Sequence, residues 1–98
     1  MSVSAIAPGS TIGILGGGQL GRMLAMAAAR LGLKCHVYAP EADSPAFDVA
    51  ARYTIGAYDD EAALEQFAAS IEAATYEFEN IPVPTVEFLS KHIPVRPG

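Results

Sequence analysis

Apolar residues along the chain alternate between two spacings. The run Thr11–Leu15 (TIGIL) is short, apolar and partly β-branched, which predicts a buried strand. Over 19–31 the apolar residues Leu20, Met23, Leu24, Ala27 and Leu31 fall at helical spacing, which predicts a helix with that face inward. Gly32 follows as a C-terminal stop. Lys34–Ala39 (KCHVYA) returns as a second strand, ended by Pro40.

In DSPA, Asp43 or Ser44 can cap a helix and Pro45 suits its first position, which predicts a short helix over 43–51. Arg52–Ile55 reads as a third strand, and Asp59 or Asp60 can cap the next helix. Its apolar face is Leu64, Phe67, Ala68 and Ile71. A fourth strand over 73–78, a helix Val83–Ser90 opened by Pro84, and a final strand over 93–95 complete the pattern. Strands alternating with helices imply a parallel sheet covered on both faces. The fold class is therefore α/β, a Rossmann-like three-layer domain.

A length of 98 residues suits one compact domain. With 51% hydrophobic and 17% charged residues, global disorder is excluded. A formal charge of -5 and scattered basic residues argue against a nucleic-acid surface. The single cysteine, Cys35, excludes an internal disulfide and a cysteine-rich metal site, and reads as a small buried hydrophobe. His36 and His92 have no second ligand at metal spacing, so no metal site is expected. Residues 1–10 (MSVSAIAPGS) lack the charged and apolar regions of a signal peptide and read as a flexible leader to a domain over 11–98. No stretch has the uninterrupted length of a membrane span, and a cytoplasmic location is expected.

The segment ILGGGQLGRML carries the first candidate chemistry. Gly16, Gly18 and Gly21 satisfy G-x-G-x-x-G between strand and helix, and Gly17 leaves the loop barer still. Such a turn lets backbone approach a ligand closely, and the helix start offers free N–H groups to an anion. The alternative is a tight turn that binds nothing. A dinucleotide site needs an acid at the end of the second strand, roughly 20 residues on. Ala39 stands there instead, and Glu41 comes only after Pro40. A P-loop is excluded because no Gly-Lys-Ser/Thr follows the glycines.

The second candidate is TYEFEN at the end of the fourth strand. Period-2 alternation sends Glu77 and Glu79 to one side, Tyr76 and Phe78 to the other. In a parallel sheet the carboxyl ends of strands one and four share an edge, where ligands bind. A carboxylate there can accept hydrogen bonds from sugar hydroxyls or an amine. The alternative is a pair of solvated glutamates.

Taken in order, ILGGGQLGRML, DSPA, TYEFEN and the closing PVRPG resemble the N-terminal, pre-ATP-grasp domain of the 5-(carboxyamino)imidazole ribonucleotide synthases, in the ATP-grasp superfamily. The resemblance runs from about Thr11 to Gly98. It implies ATP-dependent carboxylation of 5-aminoimidazole ribonucleotide with bicarbonate, in purine biosynthesis. It implies substrate-binding roles for Gly17, Gly18, Gln19, Leu20 and Glu77, with Glu77 holding ribose hydroxyls or the amine. Arg22 is either an electrostatic aid or a solvated helix residue. ATP and Mg2+ would be bound by later domains that this chain does not contain, so these 98 residues alone are expected to be inactive, without a cofactor or a catalytic residue of their own. Such enzymes are typically homodimers. Two other readings stay open: an NAD(P)-binding domain of an oxidoreductase, and a non-catalytic interaction module whose apolar excess meets a partner.

Overall fold

The computed structural model describes residues 9–77 and 81–96. Four strands, β1 (Thr11–Leu15), β2 (Lys34–Ala39), β3 (Arg52–Ile55) and β4 (Ala73–Tyr76), form one parallel sheet in the order β3-β2-β1-β4. Among the described residues three α-helices connect or follow them: α1 (Gln19–Arg30), α2 (Glu61–Ala69) and α3 (Val83–Ser90). The chain moves outward from β1 through β2 to β3, then returns to the other side of β1 as β4. The strand order therefore reverses between β1 and β4, which opens a crevice at their carboxyl ends.

Alternation along the strands divides the core into two layers. Ile14, Cys35, Val37 and Ala39 face α1 and pack with Ala25, Ala28, Leu33, Ala46 and Phe47. Leu15, Tyr38 and Ala74 face the opposite way, onto Leu64, Phe67, Ala68 and Ile71 of the α2 segment and Ile81 and Leu89 of the α3 segment. Both faces of the sheet are covered, as an all-parallel sheet requires. Cys35 is buried as expected, and burial pushes its thiol up to about 11.

The expected inward face of α1 is wrong. Leu20, Met23 and Leu31 are 49%, 64% and 59% exposed, and Ala27 is also exposed. The helix instead buries Gly21, Ala25 and Ala28, with Leu24 half-buried. Small residues on that stripe let the helix axis lie close to the sheet, and the larger apolar side chains are left on the outer flank.

Other expectations are altered as well. The segment after Ser44 forms a five-residue 3-10 helix, Pro45–Val49, rather than an α-helix over 43–51. Ser44 does not cap it: its hydroxyl donates to the Glu41 carbonyl at 2.7 Å. The strand predicted over 93–95 is reduced to one bridge, Val95 to Ala74, because Pro94 has no N–H to extend a ladder. The described part of the fourth strand ends at Tyr76, and Phe78 lies outside the described residues. The tail of the expected leader is tied down, since Gly9 donates to Gly32 at 2.7 Å and Lys34 donates to Ser10 at 2.9 Å.

Candidate functional site

The crevice between β1 and β4 holds the glycine-rich turn and Glu77, the last described residue of the second candidate segment. Ladder bonds continue one residue beyond each strand: Gly16 donates to the Tyr38 carbonyl at 2.9 Å, and Glu77 donates to the Leu15 carbonyl at 3.1 Å. These bonds set the Glu77 side chain directly under the glycine-rich turn. Glu77 Oε1 accepts from the Gly18 N–H at 3.0 Å and from the Gly21 N–H at 2.8 Å.

Gly18 is the N-cap of α1 and has no side chain with which to cap it. Glu77 does that work from 59 residues away, placing a carboxylate at the positive end of the helix. The side chain is only 5% exposed. The anion at the turn is thus the protein's own. Two of the N–H groups that the turn was expected to offer to an anion are thus taken from within the chain. The next two N–H groups, of Gln19 and Leu20, have no acceptor among the described residues. The first helical bond begins at Arg22, which donates to the Gly18 carbonyl at 2.9 Å.

The glycines answer to the same carboxylate. Gly16 has φ of +112°, a conformation that disfavours a side chain, and a Cβ there would meet Glu77 Cδ at 2.7 Å. A Cβ on Gly21 would meet the Gly16 carbonyl oxygen at 2.3 Å and Glu77 Oε1 at 2.9 Å.

Beside the turn lies a cavity of about 590 Å³. Gly17, Gly18 and Glu77 line it with Glu41, Asp43 and Tyr58. The structure therefore gathers three of the five predicted positions onto one wall. Gln19 and Leu20 belong to the exposed first turn of α1, outside that lining. Glu79 and Asn80 lie outside the described residues.

Sequence reading missed Glu41, Asp43 and Tyr58 as neighbours of the turn. The signal for Glu41 was present, since it was the displaced acid after β2. Tyr58 sits on the loop after β3, where only the sheet order brings it near β1. Burial is the first cause that pushes its hydroxyl up to about 12, followed by the negative charges of Glu41 and Glu77. The phenol stays protonated across the physiological range and can donate.

His36 plays no part in the cavity. Its Nδ1 lies 2.7 Å from Ser70 Oγ and its Nε2 2.7 Å from Thr54 Oγ1, so it ties β2 to β3 and to the end of α2. Among the described residues every buried side-chain polar atom has a partner. Among the same residues no group of three His, Cys, Asp or Glu could hold a metal ion, and no helix is long and apolar enough to cross a membrane.

Comparison with known proteins agrees with this architecture. The family model described as the ribonucleotide synthetase preATP-grasp domain matches residues 9–98. The chain is 52% identical over 97 residues to N5-carboxyaminoimidazole ribonucleotide synthase of Brucella melitensis, covering 99% of this chain and 27% of that protein. The structure of N5-carboxyaminoimidazole synthetase from Staphylococcus aureus complexed with ADP superposes with a TM-score of 0.87 at 41% identity, over 95% of this chain and 25% of that one. The Aspergillus clavatus enzyme, in complex with ADP and 5-aminoimidazole ribonucleotide, gives 0.78 at 30% identity over 93% of this chain and 24% of that one. The chain thus spans about a quarter of the length of these relatives. A sheet whose order reverses between β1 and β4, a glycine-rich turn at that reversal and a family match over nearly all of the chain agree: it belongs to the ribonucleotide synthetase preATP-grasp domain family, as the N-terminal domain type of the N5-carboxyaminoimidazole ribonucleotide synthases.

Proposed function

We propose that this chain forms one wall of the ribonucleotide site of an ATP-dependent ligase that carboxylates 5-aminoimidazole ribonucleotide with bicarbonate in cytoplasmic purine biosynthesis. The observation that carries the reading is the meeting of Glu77 and the glycine-rich turn at the sheet's reversal point, beside a cavity of about 590 Å³. The Aspergillus clavatus relative in complex with the aminoimidazole ribonucleotide supports the choice of substrate.

The chemistry of the lining favours one end of that substrate. Glu41, Asp43 and Glu77 put carboxylates around the cavity, and neither Lys nor Arg lines it. Carboxylates repel a phosphate and accept hydrogen bonds from hydroxyls and amines. The ribose hydroxyls or the exocyclic amine would therefore face Glu77, with the phosphate directed away. Gly17 and Gly18 keep the wall bare for close approach. The Gln19 amide and the Leu20 N–H offer polar contacts at the rim. Arg22, half-buried on α1, is assigned no contact.

ATP and Mg2+ do not fit the cavity that the described residues form. The cavity presents carboxylates where a triphosphate needs cations, and no cation-holding trio occurs among the described residues. In the complete ligase, ATP would activate bicarbonate and the activated carboxyl would pass to the amine. The part left to this chain is to hold and orient the amine's own molecule.

The outward apolar face of α1, with Leu20, Met23 and Leu31 exposed, supports contact with the remaining domains or with a second copy in a homodimer. The deciding experiment uses the full polypeptide carrying this sequence. With ATP, bicarbonate and the aminoimidazole ribonucleotide it should release phosphate. Gln19→Ala should raise the KM for the ribonucleotide several-fold and leave that for ATP unchanged. A polypeptide that hydrolyses no ATP in the presence of this ribonucleotide would remove the reading.

A further inference from the structure

The glycine fingerprint matches that of a dinucleotide-binding turn, yet the space a dinucleotide needs is filled from within. Two separate elements fill it. Glu77 Oε1 takes the Gly18 and Gly21 N–H groups, which are donors a bound pyrophosphate would use. On the other side, the segment after β2 folds over Gly17: Ala46 donates to the Gly17 carbonyl at 2.9 Å. A Cβ on Gly17 would meet Ser44 Cβ at 2.3 Å and Ser44 Oγ at 2.5 Å. Bare backbone at Gly17 thus serves a contact inside the protein as well as the cavity wall.

We infer that Glu77 is a specificity-determining residue that acts as a built-in substitute for a pyrophosphate, closing the glycine-rich turn to dinucleotides and free polyphosphates. Three features converge on this. The residue is only 5% exposed, so solvent screens its carboxylate little. It bonds the N-cap and the third residue of α1, across the span where a phosphate group would sit. The cavity that remains is lined by two further carboxylates, Glu41 and Asp43, so a second anion entering beside Glu77 meets repulsion. Glu77 is a positioning residue in this role, because it acts through the backbone of the turn. Exclusion of this kind is independent of the cavity's own ligand, since it concerns what the turn keeps out.

The test uses the full polypeptide with ¹⁵N-labelled glycine, and inorganic pyrophosphate and NADH as probes. In the wild type, millimolar pyrophosphate should leave the Gly18 and Gly21 amide resonances unmoved, and NADH should show no saturable change in fluorescence. In Glu77→Ala both amides should shift, and pyrophosphate should then move them saturably, with at least a tenfold gain in apparent affinity. Glu77→Gln keeps an oxygen acceptor without the charge. Its Gly18 and Gly21 amide protons should move upfield, as expected for bonds to a neutral acceptor, and this arm stands even if the alanine variant does not fold. Saturable pyrophosphate or NADH binding at those amides in the wild type overturns the inference. So does a Glu77→Gln variant whose two amides keep wild-type positions, or a folded Glu77→Ala variant that gains no anion response.

Discussion

The Gly21 amide nitrogen lies 2.8 Å from Glu77 Oε1, and an added Cβ at Gly21 would lie 2.3 Å from the Gly16 carbonyl oxygen. Two forces therefore oppose each other at this helical position. Alanine favours a helix over glycine by about 1 kcal/mol. Overpacking against backbone costs about 1–3 kcal/mol, and here the obstacle is a carbonyl held by the turn rather than a flexible side chain. Gly21→Ala should therefore destabilise the fold by up to about 2 kcal/mol net, read as a lower urea midpoint with unchanged m-value. A variant as stable as the wild type would mean that the turn relaxes freely.

The outer face of α1 gives the opposite case. Met23 is 64% exposed on this domain, so Met23→Gln should change the domain's own unfolding free energy by less than about 0.5 kcal/mol. Ala25 is 1% exposed against the sheet, and Ala25→Leu should cost about 1–3 kcal/mol. Denaturant titration of the pair checks which stripe faces inward. Equal costs at the two sites would contradict the observed orientation.

That pair also marks the limit of what the sequence made legible. Two stripes along residues 19–31 share the helical period: Leu20, Met23, Leu24, Ala27 and Leu31 on one, Gly21, Ala25 and Ala28 on the other, with Leu24 half-buried between them. Residue hydrophobicity favours the first, whereas close approach to a sheet favours the second. The small-residue spacing was a usable signal, but only the sheet's demand for a near helix decides between them. Along α2 and the turn that ends it no such conflict exists, and Leu64, Phe67, Ala68 and Ile71 are buried as their spacing indicates.

At the site, alternation and parallel pairing were enough to bring Glu77 to the same edge as the turn. They could not say that its carboxylate would bond Gly18 and Gly21. That depends on a register fixed by ladder bonds such as Glu77 N–H to Leu15 at 3.1 Å. Spacing within one segment carries no information about an acceptor 56 residues away.

Asp60 offers a local test of helix initiation. Its side chain accepts from the Ala63 N–H at 3.1 Å as the N-cap of α2, which decides between the two caps, Asp59 and Asp60, that the sequence offers. Asp60→Ala should cost about 1 kcal/mol, and Asp60→Asn should retain most of the stability because the amide oxygen can still cap. Thermal unfolding of both variants separates the cap from the charge. Equal losses in the two would assign the effect to the negative charge at the helix start.

His36 should make the domain sensitive to mild acid. Ser70 Oγ donates its one proton to the Phe67 carbonyl at 2.8 Å, so it must accept from His36 Nδ1–H. Nε2 is then unprotonated and accepts from the Thr54 hydroxyl. The ring is 4% exposed, and burial, with the nearby Arg52 charge as the smaller cause, lowers its pKa from 6.5 to about 4. Between these values the unfolded chain binds a proton that the folded chain does not. By linkage, the stabilisation due to neutral His36 is fully present above pH 6.5 and is lost as pH falls toward about 4. His36→Phe removes the titration and leaves the Thr54 hydroxyl without its imidazole acceptor. It should be less stable than the wild type at pH 7, and the gap should narrow steadily on acidification through that window. Urea unfolding of both proteins at several pH values checks it, with the common carboxylate effects cancelling in the difference. A gap that stays constant from pH 7 to about pH 4.5 would show that His36 keeps its proton balance on unfolding, and the neutral clasp between Ser70 and Thr54 would have to be abandoned.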